Sequence, residues 1–126
     1  MANPEWDNYK RSSPIITLCG STRFTPQMLD EAWRLTKMGN IVIHWNILNG
    51  HEAFAHGAER EGDDIKTLID AIYLQKVALA DEVRVINVGG YIGESTRNEL
   101  RHARKLGKRI TWLEPDRIPE DFKERK

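Results

Sequence analysis

Residues 82–106 read EVRVINVGGYIGESTRNELRHARKL, and the fold turns on how that stretch divides. Glu82 to Val88 is rich in β-branched residues and predicts a strand. Gly89, Gly90 and Gly93 then allow a tight turn. From about Ser95 to Leu106 apolar and charged residues recur at helical spacing. Gly107 supplies the stop, and Arg104, Lys105 and Lys108 sit near the helix's negative end. A strand, a glycine turn and a helix in direct succession are most of a βαβ unit, which needs a second parallel strand. Lys108 to Leu113 supplies it.

The same grammar extends toward the N-terminus. Pro14-Ile-Ile-Thr-Leu-Cys19, ending at Gly20, predicts a strand buried on both faces. Thr25-Pro26 predicts a helix start with Thr25 as N-cap. Met28, Leu29, Ala32, Trp33 and Thr36 follow at helical spacing, which places Trp33 in the core, and Gly39 ends the helix. Ile41 to Ile43 predicts a second buried strand running into His44 and Trp45. Trp45 is open between a core residue and a wall for a base. Residues 46–62 show no clean period and hold three glycines. So long an irregular stretch in a compact domain is functional or mobile, and it reads as a cover over a site. Asp63 and Asp64 cap a helix through about Ala80, with Ile65, Leu68, Ile69, Ile72 and Leu79 on one side.

The order β-α-β-loop-α-β-α-β predicts an α/β fold. It is a single-domain, three-layer, doubly wound parallel sheet of four or five strands, flavodoxin- or Rossmann-like. Residues 1–14 read as a polar N-terminal arm, 15–114 as the domain, and 115–126 as a charged, frayed tail. If the strand order is 2-1-3-4, the loops after the first and third strands meet at the carboxyl ends, where such sheets bind ligands.

Composition narrows the function classes. The 126 residues suit one domain, with 19 basic residues against 19 acidic. No global field attracts polyanions, which argues against dedicated nucleic-acid binding. Cys19 is the only cysteine, so no disulfide forms within the chain. The opening MANPEWDNYKRSSP lacks the apolar core of a signal peptide, and no run is long enough to span a membrane. The expected setting is the cytoplasm.

Two segments carry chemistry. In Cys19-Gly-Ser-Thr-Arg-Phe24, small residues let backbone approach a ligand, and Ser21, Thr22 and Arg23 offer donors suited to a phosphate or a sugar hydroxyl. The bland alternative is a polar turn with a solvated arginine. The segment lacks the Gly-Lys-Ser/Thr of a nucleotide-triphosphate loop. In Gly89-Gly-Tyr-Ile-Gly-Glu-Ser-Thr-Arg-Asn-Glu99, the glycines precede a helix start that presents free amides. Thr96 and Glu99 also fit a capping box, the structural reading of both. Against it, Glu99 shares a helix stripe with Ala103 and Leu106, bordered by Leu100, and that stripe should face the sheet. A carboxylate there costs free energy unless something uses it, and burial would raise its pKa. Cys19 reads as a small core hydrophobe, and His51 and His56 show no metal-ligand spacing.

At CGSTRF and GGYIGESTRNELRHA the chain resembles the nucleoside 2-deoxyribosyltransferase superfamily, especially its small bacterial and phage members. That superfamily includes the 2′-deoxynucleoside 5′-phosphate N-hydrolases. The likeness spans about residues 15 to 114, with its specific motifs in those two loops and the ADEVRVINV strand. It implies cleavage of a deoxyribose–base bond, with transfer to another base or to water and no metal or organic cofactor. The family nucleophile is a glutamate followed by an apolar residue and, four positions on, an alanine, which Glu99-Leu-Arg-His-Ala103 matches. Gly20, Ser21, Thr22 and Arg23, with Gly93, Ser95 and Thr96, would hold the sugar and any 5′-phosphate.

A family aspartate eight residues before the one that opens strand three falls here at Tyr73, counting back from Asp81. Asp70, one turn earlier, is the substitute, so Asp70 or Tyr73 would position the sugar or protonate the base. Glu94 is the fallback carboxylate. The resemblance further implies a homo-oligomer. Two competing expectations are a nucleotide-sensing module without turnover and a hydrolase of another glycosidic nucleotide such as NAD.

Overall fold

A computed structural model describes residues 13–47 and 62–124. The elements are β1 (Ile15–Gly20), α1 (Thr25–Lys37), β2 (Ile41–Ile43), α2 (Asp63–Leu79), β3 (Glu82–Ile86), α3 (Glu94–Lys105) and β4 (Arg109–Trp112). All four strands are parallel, in the order β2-β1-β3-β4. This is the doubly wound α/β arrangement that the alternation of strands and helices predicts.

Register and alternation assign the layers. Leu18 stands beside Arg84, which stands beside Thr111, so these share one face of the sheet; Cys19 and Val85 share the other. Arg84 bonds to Glu31, which puts α1 on the first face. The Thr17 hydroxyl donates to the Lys76 carbonyl at 2.8 Å, which puts α2 on the second. Leu18, Cys19, Val83 and Val85 are all fully buried, as central parallel strands covered on both faces require. Val77, Leu100 and Ala103 close the core on the α2–α3 side.

Several local expectations are corrected. The first helix starts one turn early: Thr22–Phe24 forms a 3-10 turn that Ser21 caps by accepting from the Arg23 amide. Thr25 is therefore no cap. Its hydroxyl donates to the Thr22 carbonyl at 2.6 Å and accepts from the Trp45 indole at 3.0 Å. The inward face of α1 is Met28, Glu31 and Leu35, while Trp33 is 63% exposed. The helix is turned so that Glu31 meets Arg84 and Arg34, an ion cluster that hydrophobic spacing cannot register. Leu68, Ile72 and Leu79 likewise point outward; α2 buries Tyr73 and Val77 instead. β2 is an edge strand, with Ile41 exposed, and not a fully buried one.

Residues 113–124 are folded onto the domain and not frayed. They make 3-10 turns at Pro115–Arg117 and Glu120–Phe122, and Phe122 is buried 6.3 Å from Trp112. Among the described residues no helix is long and apolar enough to cross a membrane. His51, His56 and most of the 46–62 segment lie outside the described residues.

Candidate functional site

The carboxyl ends of β1 and β3 lie side by side, with Gly20 registered against Ile86. A Cβ at Gly20 would sit 3.0 Å from the Ile86 carbonyl oxygen and 3.3 Å from the Trp45 ring. Glycine is thus required here by packing between the strand ends. Trp45 is 6% exposed, which settles it as a core residue.

The two unusual loops meet above these strand ends. The Arg23 guanidinium lies over the Tyr91 ring, 4.3 Å from its centroid, and Phe24 meets the same ring edge-on at 6.0 Å. Gly89 and Gly90 adopt φ of 64° and 85°, left-handed values that a side chain would resist. They turn the chain from β3 to Gly93, the N-cap of α3, which has no side-chain cap among the described residues. Tyr91 folds back so that its hydroxyl lies 3.3 Å from where a Gly93 Cβ would be.

Thr96 is the third residue of α3 and is buried. It cannot be an N-cap, so the capping box with Glu99 does not form, and the structural account of Glu99 goes with it. Ser95 is exposed beside it, and Glu94 is 75% exposed and faces Arg101. Glu94 is a solvated first-turn acid, favourable to the helix dipole.

Glu99 occupies a different environment. It keeps a partial opening to solvent, yet burial pushes its carboxyl up to about 8. The Cys19 thiol hydrogen-bonds to it and opposes that rise, Asp70 adds to it, and Lys66 and Lys76 oppose it. Cys19 is fully buried at the end of β1, and burial and the nearby Glu99 hold its thiol well above its ordinary value. Tyr73 completes the cluster. Its hydroxyl donates to the Leu18 carbonyl, and burial, then Cys19 and Glu99, keep it protonated. Three acids that all favour the neutral form therefore converge at one strand end.

Asp70 stands at the rim, half exposed and ion-paired to Lys66 at 3.0 Å. Lys76, on the same helix, donates to the His44 carbonyl at 3.0 Å and lies over the Tyr73 ring. Burial lowers its pKa, with Glu99 acting the other way. Of the residues the sequence singles out, Glu99 and Tyr73 lie in one cluster with Asp70 at its rim; Cys19, read as a small core hydrophobe, also belongs to the cluster, and Lys66 and Lys76 are not singled out. The signal for Cys19 was available: strand alternation puts it on the face opposite Leu18, toward the helix that carries Glu99. Lys76 lies three residues from Tyr73, hence on the same side of α2.

The arrangement offers a carboxyl with a near-neutral pKa, a buried thiol and phenol beside it, and a donor-rich turn next to a helix N-terminus. Among the described residues no group of three or more His, Cys, Asp or Glu could hold a metal ion. No known family model matches the chain, and no curated protein matches it.

Proposed function

We propose that the chain cleaves the N-glycosidic bond of deoxyribonucleosides or their 5′-monophosphates, with Glu99 as nucleophile. The observation that carries this reading is the Glu99 carboxyl, raised to about 8 beside Cys19 and Tyr73 at the strand ends. Strongly perturbed acids cluster at functional sites, and here the capping alternative has fallen away. The resemblance at CGSTRF and GGYIGEST supports the substrate class.

In this reading the Glu99 carboxylate attacks the anomeric carbon as the carbon–nitrogen bond breaks, and solvent water supplies the proton with which the base leaves. Water or a second base then takes the deoxyribosyl group from Glu99 and restores the carboxylate. Ser21, Thr22 and Arg23, with Gly93, Ser95 and Thr96, hold the sugar and phosphate, and the chemistry calls for no cofactor. Asp70, at the rim of the cluster, orients the sugar in this reading.

The same residues favour a second reading. Tyr73 commits its hydroxyl to the Leu18 carbonyl, so it is a poor proton donor to a leaving base. That bond favours a nucleotide-sensing module without turnover. Incubation with deoxynucleosides, their monophosphates and NAD separates the readings. Free base from a deoxynucleotide, absent in Glu99→Gln, supports the glycosidase. Binding without base release supports the sensor, and base release from NAD alone redirects the assignment.

A homo-oligomer belongs to this proposal. Leu68, Ile72 and Leu79 form an exposed apolar stripe on α2. Light scattering should give a multiple of the monomer mass, reduced by Ile72→Lys.

A further inference from the structure

We infer that residues 114–122 form a strap that sets the conformation of the β3–α3 turn from outside, with Glu114 as its positioning residue. The strap itself stands on geometry alone; its consequence for ligand binding rests on the reading proposed above.

Asn87, the first residue past β3, is completely buried. All its side-chain bonds among the described residues go to the far segment. Nδ2 donates to the carbonyls of Glu114 at 3.0 Å and Arg117 at 3.2 Å, and Oδ1 accepts from the Glu114 amide at 2.9 Å. Glu114 answers in kind, since its Oε2 accepts from the Gly89 amide at 2.9 Å. Each segment thus holds the other's backbone with a side chain, in a closed ring of bonds.

The next residue is held by fit. Gly90 has φ of 85°, and a Cβ there would lie 3.3 Å from both the Arg117 Cβ and its carbonyl oxygen. The strap then runs along α3. Arg97 pairs with Asp121, and Arg104 donates to the Asp121 carbonyl at 3.3 Å while lying 4.5 Å from the centroid of the Phe122 ring. Phe122 itself is buried against Trp112.

Such bracing is needed where it is found. Gly89 and Gly90 have no side chains with which to fix the turn and lose the most backbone freedom on ordering. Two residues beyond them, Tyr91 and Ile92, lead to Gly93 and the start of the helix that carries Glu99. Tyr91 is also the residue on which Arg23 rests. A shift of this turn therefore moves the Arg23 loop and the α3 N-terminus together.

Glu114 tests the idea because its side chain is a third exposed, so replacing it leaves the core intact. Amide hydrogen exchange of the full chain is measured for wild type, Glu114→Ala and Glu114→Gln. In Glu114→Ala, exchange from Gly89 through Gly93 and in the first turn of α3 should quicken by roughly tenfold, with β1 and α1 unchanged. Glu114→Gln keeps an acceptor for the Gly89 amide and should restore most of the protection. Unchanged exchange in Glu114→Ala, equal exchange in both variants, or a uniform rise over the whole fold overturns the strap.

Affinity for thymidine 5′-monophosphate is measured in parallel. It should weaken in Glu114→Ala and recover in Glu114→Gln. Faster exchange with unchanged affinity would show that the strap braces the turn without positioning the site. If wild type does not bind the nucleotide, the proposed function falls, while exchange still decides the strap.

Discussion

The Cys19 thiol hydrogen-bonds to the Glu99 carboxyl, joining the end of β1 to the second turn of α3. This bond is the largest influence holding the Glu99 pKa down, against burial, which drives it up. The charge state of Glu99 thus depends on a balance between two features of the same strand end: the closed packing around it and one thiol donor.

The first prediction follows from the outcome of that balance. With a pKa of about 8, Glu99 is mostly protonated at neutral pH in the free protein. A nucleophile must be ionised, so kcat/KM for base release should climb with pH through about 8 and then level. Stability should move the other way. The folded pKa lies above the ordinary 4.5, so the stability this group contributes is complete below 4.5 and is lost as pH rises through about 8. Glu99→Gln removes that loss. Between pH 5 and pH 9, chemical denaturation should show wild type losing roughly 4 kcal/mol more than the variant. Parallel losses in both proteins would mean that Glu99 is not the perturbed group.

The second prediction isolates the thiol. Cys19→Ala deletes the donor, so the Glu99 carboxyl should rise further and the acid limb of the pH profile should shift to higher pH. Cys19→Ser keeps a donor of similar reach and should leave the limb near its wild-type position. Both substitutions trim a fully buried side chain, so both lose some stability. Only the pH shift separates the hydrogen bond from packing. An identical limb in all three proteins would remove Cys19 from the account.

Tyr73 gives the third. Because its hydroxyl donates to the Leu18 carbonyl, Tyr73→Phe should cost roughly 1–2 kcal/mol of stability by removing a buried bond. Base release should stay within about fivefold of wild type, since that proton is already committed. A loss of several orders of magnitude with little change in stability would instead make Tyr73 a catalytic acid.

The legibility of this protein in its sequence is uneven, for physical reasons. The strands, their parallel pairing and the meeting of the two loops follow from short apolar runs alternating with helical segments, and those signals are local. The orientation of α1 does not follow. Trp33 reads as core by spacing, but the buried Glu31 takes the inward position because Arg84 and Arg34 hold its carboxyl. The hydrogen bonds from Arg34 and then Arg84 lower its pKa, so it remains charged inside the fold. A charge so placed depends on a partner 53 residues away, beyond the reach of any helical period. The site divides in the same way. Glu99 is visible through its stripe and through the motif, whereas strand alternation gives the face of Cys19 but not its partner, which only the packing of β1 against α3 supplies. The C-terminal strap was hidden because Asn87 and Glu114 recognise backbone, which leaves no pattern in side-chain type.

The last prediction concerns Arg23 and the form of the substrate. Its guanidinium rests on Tyr91 at the junction of the two loops, while the residue stays exposed. A cation held there, beside the Ser21 and Thr22 turn, suits a 5′-phosphate and offers nothing equivalent to a neutral nucleoside. Calorimetry should therefore show thymidine 5′-monophosphate binding more tightly than thymidine. Arg23→Ala should cost roughly 1.5–3 kcal/mol for the monophosphate and leave thymidine nearly unchanged. Tyr91→Leu removes the ring but not the charge. It should cost less, about 0.5–1 kcal/mol, because the guanidinium must then be ordered by the ligand itself. Equal affinity for the two ligands in wild type, or an Arg23→Ala variant that binds the monophosphate as before, would sink the phosphate assignment. A Tyr91→Leu loss as large as that of Arg23→Ala would mean that the aromatic ring, and not the charge, recognises the ligand.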